Sequence, residues 1–310
     1  MTKREFGYLS RDRVTKIHSI EWIPDGEIVG ILQMCHGMVE YIDRYDEFAA
    51  YLAGKGFYVV GHDHLGHGKS VRSQEDYGYF DEAKGNQYVV GDIHILRLRT
   101  MKKYPDIPYF MLGHSMGSFL VRQYLTMYGQ GLAGAIIMGT GYQPLPVLLA
   151  GQFLCRILAA LKGWRHRSPL VDGLCLGVYR RHFKSGGGAG DWTTSDPRMW
   201  EKYTQDPLCH FRFTLAGYYQ MLEGMKALAR SDSMKRLPKD LPVFFVAGED
   251  DPVGAFGKGV RKVYEKYKAA GMENVDLKLY RDDRHEILNE TDRDKVYEDL
   301  YLWLRENLEQ

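Results

Sequence analysis

Apolar residues in this chain fall into short continuous runs, and between the runs they recur at helical spacing. Residues 28–34, 56–60, 108–112, 134–138, 241–247 and 275–280 are runs of mostly apolar positions, several ending in glycine-rich or polar loops. Runs of this length bounded by turn signals predict buried strands. Residues 45–52, 87–98, 116–128, 144–161, 211–228 and 292–308 space their apolar side chains three and four apart, which predicts helices. Strand and helix therefore alternate. Alternation predicts an α/β fold with a mostly parallel sheet flanked by helices, because parallel neighbours need crossover connections. Functional residues in such sheets gather at the carboxyl ends of the strands.

The alternation breaks once. About a hundred residues separate the strand ending near Met138 from the one beginning near Leu241, where a crossover needs only about a dozen. The interval predicts an inserted helical cap at 141–235 on a core formed by 1–140 and 236–310. The cap holds the apolar stretch 144–161, a glycine-rich loop at 185–190 and the helix 211–228. The apolar stretch is interrupted by Gln152 and Arg156 and is short for a bilayer span, which takes about 20 apolar residues.

Composition narrows the function classes. With 45% hydrophobic and 26% charged residues, the 310-residue chain can build a packed core and is neither disordered nor a coiled coil. Lys plus Arg at 41 against Asp plus Glu at 40 leaves a formal charge of +1, so no global field exists to hold nucleic acid. A small-molecule partner is expected. Cys35, Cys155, Cys175 and Cys209 form no C-x-x-C pair, so they are expected as buried thiols. Residues 1–14 carry Lys3, Arg4, Arg11 and Arg13 and no apolar run, so no signal peptide is expected and the cytoplasm is the expected compartment. The sequence sets no oligomeric state.

The chemistry centres on GHSMG at 113–117. The bare G-x-S-x-G pattern carries little by itself, but here it directly follows an apolar strand and directly precedes a helical pattern, the setting of a nucleophile elbow. Glycines two places either side of Ser115 fit a turn too tight for side chains. Ser115 is the expected nucleophile. The base should follow it in a loop beyond a strand, and of His166, His182, His210 and His285 only the last lies outside the predicted cap. The acid should follow the preceding strand, where Glu249, Asp250 and Asp251 stand together. Asp251 is preferred, because Pro252 suits a turn that projects the residue before it; Glu249 and Asp250 stay open. Donors for a developing oxyanion are expected from the backbone N–H groups of Met116, at the start of the elbow helix, and Met38, after His36-Gly37 at an earlier strand end.

These residues resemble a family. HGMVEYIDRY at 36–45, GHDHLGHGKS at 61–70, GHSMG at 113–117, GEDD at 248–251 and the His285 loop are similar, in order and over nearly the whole core, to the monoacylglycerol lipase and lysophospholipase-like α/β-hydrolases. The resemblance implies an α/β-hydrolase fold, H-G-x-x-E at the oxyanion loop, G-x-x-D at the acid, and a serine esterase acting on lipid-like or small acyl esters without a cofactor. Tyr41 stands where monoacylglycerol lipases often carry His.

Other readings compete. HDHLGH at 62–67 mimics the H-x-H-x-D-H of binuclear zinc hydrolases, but Gly66 occupies the aspartate position, so no metal is expected. GKS at 68–70 lacks the first glycine of a P-loop. A non-catalytic ligand-binding protein and a proline iminopeptidase-like serine peptidase remain, since both share the scaffold. Within the cap, the apolar residues of 144–161 are expected to line an acyl pocket, with Leu148, Leu149 and Phe153 as candidate substrate contacts. Lys162, Arg165 and Arg167 follow at once and suit transient contact with an anionic lipid interface.

Overall fold

The middle strands are buried along their whole length, so both faces of the sheet must be covered. The computed structural model describes residues 1–180, 183, 192–230 and 233–308; the expected glycine-rich loop at 185–190 lies outside them. Eight strands form one sheet: β1 (Thr2–Leu9), β2 (Lys16–Ile23), β3 (Gly30–Cys35), β4 (Phe57–His62), β5 (Tyr109–His114), β6 (Gly134–Met138), β7 (Val243–Gly248) and β8 (Val275–Tyr280). They lie in the order β1-β2-β4-β3-β5-β6-β7-β8. From β4 to β8 every neighbouring pair is parallel, while β1–β2 and β2–β4 are antiparallel.

The helices between and after these strands are α1 (Asp46–Gly54), α2 (Gly85–Lys103), α3 (Met116–Tyr128), α4 (Leu145–Lys162), α5 (Pro169–Cys175), α6 (Gly177–Arg180), α7 (Pro197–Gln205), α8 (Leu215–Ala229), α9 (Lys258–Ala269) and α10 (Arg293–Glu306). Alternation along β5 sends Phe110 and Leu112 to one face, where Phe48 and Leu52 of α1 and Leu300, Trp303 and Leu304 of α10 cover them. Tyr109 and Met111 point to the other face, against Ile93 of α2, Val121 of α3 and Val263 of α9. Helices on both faces of a mostly parallel sheet match the expected class. The pattern did not predict β1 and β2, nor α5, α6, α7 and α9. Helices α4 to α8 all lie between β6 and β7, the interval expected to hold the insertion.

One junction sets the position of everything at the carboxyl end of the sheet. Strand β5 passes into α3 so abruptly that a Cβ on Gly117 would lie 2.0 Å from the Cys35 carbonyl oxygen, and one on Gly113 2.3 Å from that of Gly117. The glycines are therefore required by contact with neighbouring backbone. Gly117→Ala is expected to destabilise the protein by about 1–3 kcal/mol, the usual range for an overfilled core. Urea denaturation measures this, and an unchanged midpoint would show that the turn widens without cost.

Candidate active site

Between β5 and α3, Ser115 adopts φ 52° and ψ −117°, a conformation that L residues rarely hold without surrounding constraint. Its N–H donates to the Met138 carbonyl at the end of β6, 3.0 Å away. The side chain faces a cavity of about 1030 Å³ shared with His285, Met38 and Met116.

His285 lies in the loop after β8, and Asp251 in the turn after β7. Asp251 is fully buried; its Oδ2 is 2.9 Å from His285 Nδ1, and its Oδ1 accepts the Val253 N–H at 2.8 Å. Glu249 and Asp250 are exposed, so of the three carboxylates left open by the sequence, Asp251 is the one against the imidazole. With Nδ1 turned to the carboxylate, Nε2 is left buried without a hydrogen-bond partner among the described residues. Trp192 packs against this ring, centroids 5.1 Å apart.

Met38 and Met116 flank Ser115 on the cavity wall, and no hydrogen bond among the described residues uses either N–H. The loop carrying Met38 is held from behind by Glu40, the carboxylate of the H-G-x-x-E pattern that the resemblance implied, and by partners of Glu40 that the sequence did not predict. Glu40 Oε1 accepts the Gly37 N–H at 2.5 Å, the Tyr45 hydroxyl at 3.0 Å and lies 3.1 Å from His114 Nδ1. Arg44 bridges Glu40 Oε2, at 2.9 Å, and both oxygens of Glu286, at 3.2 and 2.8 Å. Despite burial, which would raise it, the hydrogen bond from His114 and then the Arg44 charge hold the Glu40 carboxyl well below its ordinary range. The four-residue spacing of Glu40 and Arg44, and the place of Glu286 beside His285, were the available signals.

The histidines at 62–67 have their own arrangement. His64 Nδ1 is 3.2 Å from His62 Nε2, His64 Nε2 faces the His36 carbonyl at 3.2 Å, and His67 Nδ1 faces the Leu65 carbonyl at 3.2 Å. Asp63 braces the loop, accepting from Ile42 N at 2.9 Å and Lys69 N at 2.8 Å. Among the described residues, no three His, Cys, Asp or Glu side chains are grouped to hold an ion. Burial pushes the pKa of His62 and His67 down to about 3.

The cavity is also lined by residues of the segment between β6 and β7, including Leu176, Tyr179, Phe211, Met221 and Met225. Leu148, Leu149 and Phe153, the expected substrate contacts, do not line it. Helix α4 packs on α8 through Leu148, Gln152, Cys155 and Ala159, so Leu148 is buried there while Leu149 and Phe153 fall on the solvent side. Two of the following cations tie the insertion to the core: Arg165 pairs with Asp76 at 3.0 Å, and Arg167 donates to the Glu75 and Tyr77 carbonyls at 2.9 Å. All four cysteines are free; three are buried and Cys175 is half-buried on the cavity wall.

A serine raised on a strained strand-to-helix turn, at the carboxyl end of a sheet in this order, is the architecture of α/β-hydrolases. Residues 26–292 match the Hydrolase_4 family, described as serine aminopeptidase S33, and the chain belongs to that family. It is 25% identical over 310 residues to the monoacylglycerol lipase of Mycolicibacterium smegmatis, covering 99% of each chain. Among solved structures, a highly thermostable carboxyl esterase from Bacillus coagulans in complex with glycerol superposes with a TM-score of 0.91 at 28% identity, covering 99% of each chain. A soluble variant of the Saccharomyces cerevisiae monoglyceride lipase shares the fold, with a TM-score of 0.76 at 22% identity over 95% of this chain and 92% of that one. The protein is a serine ester hydrolase.

The lowered histidine pKa values have a consequence for stability. The unfolded chain binds protons, near an ordinary value of about 6.5, that the folded imidazoles refuse. Their stabilising contribution is therefore complete above about pH 6.5 and is lost as pH falls towards 3. His18 and His114, whose pKa values are raised, act in the opposite sense, so a single substitution isolates the effect. His67 packs among Phe80, Phe211 and Phe213. His67→Phe should remove about 2 kcal/mol of the stability difference between about pH 7 and pH 5. Denaturant titrations at the two pH values measure it, and an unchanged difference would contradict a neutral, buried His67.

Proposed function

We propose that the protein hydrolyses carboxylic esters of lipid-like substrates, of the monoacylglycerol or lysophospholipid type, through an acyl-enzyme on Ser115. Ser115 Oγ attacks the ester carbonyl as His285 Nε2 takes its proton, and the alcohol leaves with that proton. Water then repeats the attack on the acyl group. Asp251 holds the imidazole with its hydrogen on Nδ1 and supports the imidazolium. The N–H groups of Met38 and Met116 receive the oxyanion. Neither metal nor cofactor enters this chemistry.

The observation that carries the reading is the cavity. The Asp251–His285 pair opens into about 1030 Å³ that also holds Ser115 and is walled by Phe119, Leu176, Phe211, Met221, Met225 and Val253, a size and lining suited to an acyl chain. We assign residues 141–235 as a cap over this cavity, the rest being the catalytic core. A peptidase reading follows from the family's description, but a free amino terminus needs an unpaired carboxylate. Among the described residues, the carboxylates on the cavity wall are Glu40 and Glu286, both engaged by Arg44, and Asp172, paired with Arg212 at 3.4 Å.

Ser115→Ala should abolish hydrolysis of medium-chain monoacylglycerol with the fold intact. His285→Ala and Asp251→Asn should each lower kcat by about 10⁴-fold or more, without their effects adding. Steady-state kinetics on acylglycerols, lysophospholipids, p-nitrophenyl esters and aminoacyl amides checks both the roles and the substrate class. Retained turnover in Ser115→Ala, or amides preferred over esters, would overturn the reading.

We further propose that the cap touches lipid through the outer face of α4. Leu145, Val147, Leu149, Phe153, Ile157 and Leu161 are exposed there, with Leu170 and Leu174 of α5. The helix is long and apolar enough to cross a membrane. Its inner face is nevertheless packed on α8, with Gln152 bonded to Glu223 at 2.7 Å, so lying along an interface suits it better than crossing one. Leu149→Ser with Phe153→Ser should reduce co-sedimentation with phospholipid vesicles and turnover of vesicle-borne monoacylglycerol several-fold, while p-nitrophenyl acetate hydrolysis stays unchanged. Equal losses on both substrates, or undiminished vesicle binding, would contradict this role.

A further inference from the structure

Behind the nucleophile stands a second buried carboxylate–imidazole pair. His114, the residue before Ser115, is 4% exposed. Its Nδ1 lies 3.1 Å from Glu40 Oε1 and its Nε2 lies 3.2 Å from the His285 carbonyl oxygen. A carboxylate and a peptide carbonyl are both acceptors, and a neutral imidazole carries a hydrogen on one nitrogen only. The Tyr45 hydroxyl, 2.9 Å from Nδ1 and 3.0 Å from Glu40 Oε1, has one hydrogen to give. If it served a neutral Nδ1, Glu40 would lose both the hydroxyl and the imidazole as donors. With both ring nitrogens protonated, Nδ1 donates to Glu40, Nε2 donates to the His285 carbonyl, and Tyr45 donates to Glu40.

We propose that His114 is a positioning residue held as an imidazolium at neutral pH, its ion pair with Glu40 clamping the oxyanion loop and the His285 loop on either side of Ser115. The catalytic consequence rests on the roles given above to Ser115 and His285. The same Glu40 oxygen accepts the Gly37 N–H, one residue before Met38, while His114 grips the main chain of His285. A Cβ added at Gly37 would lie 3.1 Å from Ser115 Cβ, so the clamped loop lies directly beside the nucleophile.

Charge balance supports the assignment. The groups facing His114 are Glu40, Arg44 and Tyr45 from the segment after β3, and His285 and Glu286 from the loop after β8. Among the described residues, Glu40 and Glu286 share one Arg or Lys partner, Arg44, and a buried charge left unpaired is strongly destabilising. A protonated His114 neutralises the cluster. Burial alone would lower its pKa, but the Glu40 hydrogen bond and charge, then Glu286 and the His285 carbonyl, outweigh burial and raise it.

The test uses the full chain labelled with ¹⁵N-histidine, the His114 resonances being assigned by comparison with His114→Gln. Long-range ¹H–¹⁵N spectra at about pH 7.5, where an ordinary histidine is neutral, should give both His114 nitrogens the protonated signature. A neutral tautomer there would overturn the proposal, whatever the variants do. In Glu40→Gln, kcat should fall about 10- to 100-fold, with KM changed by less than about threefold. Wild-type kcat in that variant would overturn the clamping role. Turnover surviving in Ser115→Ala would instead sink the catalytic reading and leave the protonation result standing by itself.

Discussion

The turn from β5 into α3 is the constraint on which the site depends. Its two glycines let the backbone of α3 lie against the end of β3, and that contact leaves Ser115 only a conformation with positive φ. Such strain persists because the flanking elements over-determine it: β5 is fixed between β3 and β6, and the Ser115 N–H is committed to Met138. The turn raises the hydroxyl above the sheet and puts it at the amino end of α3, where the helix dipole favours negative charge. Met38, Met116 and His285 share one cavity wall with it because all three follow the carboxyl ends of parallel strands.

A second constraint is the buried charge cluster of Glu40, Arg44, His114 and Glu286. It connects the segment after β3, the elbow and the loop after β8, and it extends to the insertion. Arg44 lies 4.9 Å from the ring centre of Tyr203, Tyr41 donates to Asp206 at 2.5 Å, and the Glu286 N–H donates to the Thr193 carbonyl at 2.6 Å. Removing one member of such a cluster costs about 3–5 kcal/mol. The insertion is therefore anchored at the carboxyl end of the sheet, and Tyr41, where relatives with His were expected to differ, is one of the anchors.

Strands β3 to β7 were legible because burial on both faces leaves continuous apolar runs. Strands β1 and β2 were not, since β1 is an edge strand whose Lys3, Arg4 and Glu5 face water and mask any period. Helix α9 does carry a helical period in Val260, Val263, Tyr264 and Tyr267, so the signal was there and unused. Ser115 and His285 could be chosen from order and context, and Asp251 from its proline-led turn. The facing of α4 could not: a helix apolar on nearly every side has no phase of its own, and its partner α8 decides which residues are buried. The partners of Glu40 were hidden for a related reason, because charged residues read as surface until the fold shows them enclosed.

That Ser115 carries the covalent step is tested most directly by reacting the native protein with a long-chain fluorophosphonate and locating the adduct by peptide mass spectrometry. The account predicts a single adduct on the peptide containing Ser115, formed slowly or not at all after His285→Ala. Absence of an adduct from the native protein, or an adduct on another residue formed equally fast in both proteins, would contradict it.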